Sequence, residues 1–126
     1  VTSNRHATHT EERLPLALGR PTCSWRRSAV DRLETMARPY RILYSSSNAG
    51  AVAAAVLAGF AVSVLPESGL LPGMRVLTSA DGFPELPSCH IGLVRNAHEG
   101  STLADALAEH IILSLDNLSE AVQAAE

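Results

Sequence analysis

The sequence predicts an α/β fold with a mostly parallel sheet, and three observations carry that prediction. Short apolar runs alternate with helix-like segments between Leu14 and Pro66 in strand-helix-strand-helix-strand order, for which right-handed crossovers and a doubly wound sheet are the default. Phe60 to Leu65 is apolar at nearly every position, the pattern of a strand buried on both faces. Aromatic residues make up only 4% of the chain, so Ala, Val, Leu and Ile must build the core, which suits helix-on-sheet layers.

Each element follows from local chemistry. Val1 to Arg13 is polar and lacks sustained periodicity, so it reads as a linker or a cut edge. Leu14, Leu16 and Leu18 alternate with Pro15 and Ala17, a short first strand whose proline fits near its start or on an edge. Trp25, Ala29, Leu33 and Met36 then fall four, four and three apart, an amphipathic helix with Ser24 as expected N-cap. Pro39 disfavours helical geometry at Arg38, which ends that helix and starts a strand over Tyr40 to Ser45. Ser45, Ser46, Ser47 and Asn48 offer caps for an alanine-rich helix over Ala49 to Ala58, closed by Gly59.

After the third strand, turns at Gly69, Pro72 and Gly73 lead to a strand around Met74 to Thr78. A fifth strand is expected over Ser88 to Arg95, and a helix capped by Ser101 or Thr102 runs to about Leu115 or Val122 with Leu103, Leu107 and Ile111 on one face. The expected organisation is a linker or truncated edge at 1–13, a lobe at 14–98 and a C-terminal helix at 99–126, with a βαβαβ core, two further strands and helices on both faces.

Composition bounds the function. The chain has 126 residues, a formal net charge of −3 and no basic stripe, so by itself it is not expected to bind nucleic acid. The apolar run Ala49 to Leu65 is broken by Gly59 and Ser63 and falls short of a membrane span, and no signal peptide is visible. Cys23 and Cys89 match neither a metal spacing nor a disulfide framework, which points to a reducing cytoplasm. No nucleophile, base and orienter assemble from the sequence, and no phosphate-loop or dinucleotide fingerprint is present, so neither an enzyme nor a cofactor is expected.

Binding chemistry concentrates where strands feed helices, because ligands of open α/β sheets sit beyond the carboxyl ends of the strands. The two helix starts are Thr22-Cys23-Ser24 and Ser45-Ser46-Ser47-Asn48. Each offers hydroxyls and backbone N–H groups at a positive helix end, suited to a carboxylate or other small anion. The same residues also serve plain capping. Cys23 reads either as a thiol activated by the helix start and by Arg26 and Arg27 or as a small residue packed in a turn. His6 and His9 have metal-ligand spacing but no third ligand, and read as solvated linker residues.

The series Leu14-Pro-Leu-Ala-Leu, Cys23-Ser-Trp-Arg-Arg, Tyr40-Arg-Ile-Leu-Tyr-Ser-Ser-Ser and Ala54 to Pro66 (AAVLAGFAVSVLP) resembles the second lobe of LysR-type effector-binding domains. Leu71-Pro-Gly-Met-Arg-Val-Leu, Leu86-Pro-Ser-Cys-His-Ile-Gly-Leu-Val-Arg and the terminal amphipathic helix extend the resemblance to about Leu115. It implies a periplasmic-binding-protein-like architecture in which two α/β lobes close on an inducer, while an N-terminal winged helix-turn-helix, absent here, binds DNA. It also implies homo-oligomers, effector contacts at Ser45, Ser46 and Ser47, and weaker ones at Pro21 to Cys23. In the family the terminal helix packs on the first lobe, so Leu103, Leu107 and Ile111 are expected to be exposed, rearranged or donated to another chain. The competing reading is a solute-binding transport protein of the same fold.

Overall fold

The computed structural model of the chain describes residues 1–89, 92–94 and 101–123, with side chains as far as Ser114 in the last helix. It divides into two compact units, Val1–Ser88 and Cys89–Glu126. The first contains strand β1 (Thr2–Ser3), strand β2 (Leu14–Leu18), helix α1 (Ser24–Thr35), strand β3 (Tyr40–Ser45), helix α2 (Ala49–Leu57) and strand β4 (Met74–Arg75). The second contains helix α3 (Thr102–Gln123).

β2 is the centre of the first unit, with all five residues buried. It pairs in parallel with β3, Leu14 opposite Tyr40 and Leu18 opposite Ser45, with an irregularity between Leu16 and Ala17. On its other side it makes one parallel bridge, Leu16 to Val62, closed by the Ala17 and Val62 amides. Its pleat sends alternate side chains to opposite faces. Leu14, Leu16 and Leu18 pack with Leu33 of α1 and Val62, while Ala17 packs with Val52 of α2 and Ala61. One helix therefore covers each face of β2, as expected from two successive βα crossovers.

The helix ends have local causes. Residue Cys23, not Ser24, is the N-cap of α1, and no side chain caps it. The helix stops at Thr35, short of Pro39, because Ala37 turns left-handed (φ 52°). The Ala37 N–H donates to Glu34 O and the Arg38 N–H to Leu33 O, the paired bonds of a Schellman closure with alanine where glycine is usual. α2 ends the same way at Gly59 (φ 75°), with Gly59 N–H to Val56 O and Phe60 N–H to Ala55 O.

Several expectations are corrected. The third strand is reduced to the Val62 bridge, and Phe60 is 67% exposed. The fourth is two residues long and antiparallel, with Thr2 opposite Arg75 and Ser3 opposite Met74. Parallel pairing among the described residues is thus confined to β2, β3 and Val62. Ser88, Cys89 and Gly92 to Val94 carry no strand, while His90, Ile91, Arg95 and also His98 lie outside the described residues. The terminal helix starts at Thr102, with the Asp105 N–H bonded to Ser101 O, and runs to Gln123; Leu103 and Leu107 are exposed.

The largest difference is at the N-terminus. Instead of a solvated linker, Thr2, Ser3 and Thr8 are buried. Val1 exchanges two backbone bonds with Ser63, at 2.7 and 3.0 Å. His6 Nδ1 lies 3.1 Å from Ser3 Oγ, and His9 Nε2 accepts from Arg75 at 2.9 Å. Arg75 also grips Asp81 through both carboxylate oxygens, and this guanidinium holds the Asp81 carboxyl down at about 2. Polar composition concealed this segment because its partners lie some sixty residues further along the chain.

Candidate functional site

The carboxyl ends of β2 and β3 lie side by side, so the turn after Leu18 meets the turn after Ser45. The Ser46 N–H donates to Leu18 O at 3.0 Å, which fixes the two turns against each other. The expected site residues around Cys23 and Ser45 to Asn48 thereby share one edge of the sheet. Ser45, Ser47, Asn48 and Thr22 are exposed, while Ser46 and Cys23 are half-buried.

Their hydroxyls and amides are already committed in different ways. Asn48 is the N-cap of α2: its Oδ1 accepts from the Gly50 N–H at 2.9 Å and the Ala51 N–H at 3.3 Å. Ser46 Oγ accepts the Asn48 N–H at 3.0 Å. These two residues do the capping that any helix start requires. Ser45 Oγ donates to Gly19 O at 3.3 Å and accepts from Arg26 Nη1 at 2.8 Å. Ser47 Oγ is met by Arg20 Nη2 at 3.5 Å.

Cys23 packs against the turn: a β-carbon added at Gly19 would lie 3.2 Å from both its Cβ and its Sγ. This close approach explains the glycine and agrees with the packed-turn reading of Cys23, which is a free thiol. Thr22 is exposed on the same turn, and its side chain forms no hydrogen bond to the serine segment.

Sequence reasoning named Arg26 only beside the Cys23 thiol and placed neither Arg20 nor Arg26 against the serine segment. Arg26 Nη1 also donates to Gly19 O at 3.0 Å, so one guanidinium nitrogen ties α1, the turn after β2 and the end of β3. Neither arginine has a carboxylate within ion-pair distance among the described residues; the pairs there are Arg41 with Glu11 and Arg75 with Asp81. Two uncompensated guanidiniums and the starts of α1 and α2 make this edge electropositive in a chain whose net charge is negative. On sequence alone, Arg26 is one of several charges on an amphipathic helix and reads as solvated face.

No group of three metal-ligating side chains occurs among the described residues, and no helix among them is long and apolar enough to cross a membrane. A hollow of about 70 Å³ lies elsewhere, over the leucine face of β2 between Leu14, Leu18, Leu33 and Phe83. Its lining is almost wholly apolar, so it belongs to the core rather than to the polar edge.

The family described as LysR substrate binding domain matches residues 2–115. The HTH-type transcriptional regulator PecT of Dickeya dadantii (strain 3937) is 35% identical over 83 residues, 66% of this chain and 26% of that protein. The chain spans about a quarter of that relative's length. With nearly its whole described length matched, the chain belongs to the LysR substrate-binding domain family.

Proposed function

We propose that this chain is the effector-sensing lobe of a LysR-type transcriptional regulator, and that it takes a small anionic metabolite at the edge where β2 and β3 end. The observation that carries the reading is the convergence of Ser45, Ser47, Arg20 and Arg26 on one edge, with no carboxylate within ion-pair distance of either arginine among the described residues. Ser46 and Asn48 hold the start of α2 rigid, and Thr22 and Cys23 border the same edge. The role is binding, with no catalytic step and no cofactor.

In the full protein a second lobe supplies the facing half of the pocket. Closure on the effector shifts the population of lobe arrangements and with it the geometry of a homo-oligomer in the cytoplasm. DNA is contacted through a separate helix-turn-helix domain, consistent with the relative's description as an HTH-type regulator.

The experiment is calorimetric titration of the two-lobed domain with a panel of mono- and dicarboxylates, compared with its Ser45→Ala, Ser46→Ala, Ser47→Ala triple variant. A loss of about tenfold or more is expected, the scale of one or two charge-assisted hydrogen bonds. Unchanged affinity refutes the assignment.

A further inference from the structure

The serine segment presents fewer free donors than its composition suggests. Ser45 directs its hydroxyl proton at Gly19 O, and Ser46 uses its oxygen on the Asn48 N–H. The Gly50 and Ala51 amides, which would otherwise greet an anion at the start of α2, are occupied by Asn48 Oδ1. The strongest donor left at this edge is a guanidinium.

A guanidinium carries five N–H donors in a fixed plane. Arg26 spends the two on Nη1, one on Gly19 O at 3.0 Å and one on Ser45 Oγ at 2.8 Å. Its Nε and Nη2 make no hydrogen bond to a described residue. Nε and one Nη2 hydrogen lie parallel along one edge of the plane, the edge that matches both oxygens of a carboxylate. Anchoring by Nη1 orients that edge before a ligand arrives, which lowers the ordering cost of binding.

We infer that Arg26 is the residue that engages the effector's carboxylate, through its Nε and Nη2, and that Ser45 and the Gly19 carbonyl are positioning groups that hold the guanidinium in place. This rests on the proposed site and changes its chemistry: the contact is an arginine clamp, with Ser45 behind it. Arginine is therefore required as such. Lysine keeps the charge but cannot hold Gly19 O and Ser45 Oγ with one nitrogen while offering two parallel donors to the ligand.

The test uses this 126-residue chain and sodium succinate as the probe, against sodium chloride at equal ionic strength. The Nε–Hε resonances of Arg26, Arg27 and Arg32 and the backbone amides of Ser45 to Asn48 are followed by NMR. Arg26 Nε is expected to shift saturably with succinate, while Arg27 and Arg32, on the same helix, drift only as with chloride. The Arg26→Lys chain, checked for an unchanged backbone spectrum away from the site, is expected to bind succinate about tenfold more weakly, reflecting loss of the bidentate geometry.

If the Ser46 to Asn48 amides shift saturably and Arg26 Nε does not, the arginine clamp is wrong and the site stands. An Arg26→Lys chain that binds as well as the parent also overturns the clamp. When neither set of signals responds beyond the chloride control, both fall. Because the wild-type Nε measurement needs no variant, misfolding of Arg26→Lys leaves the inference falsifiable.

Discussion

Replacing Gly59 by alanine probes the packing of the N-terminal segment on α2. Gly59 is left-handed at φ 75°, which costs an L-residue about 1–2 kcal/mol. An added β-carbon would also overlap the His6 ring, far inside any real contact. His6 is exposed and can swing aside, but doing so gives up its 3.1 Å contact with Ser3 Oγ. That puts the overlap at the low end of overpacking costs, about 1 kcal/mol. Gly59→Ala should therefore lose roughly 2–3 kcal/mol, a large share of a small domain's stability. Urea unfolding followed by circular dichroism measures it, and a cycle with His6→Ala divides it: in that background the cost should fall to the conformational part, about 1–2 kcal/mol. A Gly59→Ala change within about 0.5 kcal/mol of the parent, or an equal cost with and without His6, would refute the docking of this segment on the end of α2.

Ala37 is the complementary case: Ala37→Gly should stabilise the chain by up to about 1 kcal/mol in the same assay, since its φ of 52° suits glycine. Asn48→Ala should cost about 1 kcal/mol through loss of the α2 cap, whereas Asn48→Asp should keep stability within about 0.5 kcal/mol. The aspartate also adds a negative charge at the proposed effector edge, so it should weaken carboxylate binding while Tm stays nearly level.

The stretch from Leu14 to Gly59 was legible because its signals are local. Leucine alternation, the helical spacing of Ala29 and Leu33, and a terminal glycine each act within a few residues. β1 was not, because what makes Thr2 and Ser3 a buried strand is backbone pairing with Met74 and Arg75, and pairing across such a distance leaves no mark on periodicity. The Phe60 to Leu65 run was apolar enough for a strand, yet only Val62 bridges β2. At the site, Ser45 to Asn48 stood out by composition. The partition into cap residues and arginine-held hydroxyls did not, since it depends on where Gly19 brings its carbonyl.

The position of Val1 to Ser3 also bears on how the chain reaches this state. β2, α1 and β3 form a contiguous unit, but Val1 meets Ser63 across 62 residues and His9 meets Arg75 across 66. Closing loops of that length gains little until both ends are already ordered. Assembly should therefore proceed outward from the central βαβ unit, with the first ten residues docking last. Until they dock, the backbone of Ser63 and the inner edge of β4 stay open to any other extended strand. Slow synthesis of residues 60–75 would lengthen that window, and a chain missing its first few residues would never close it.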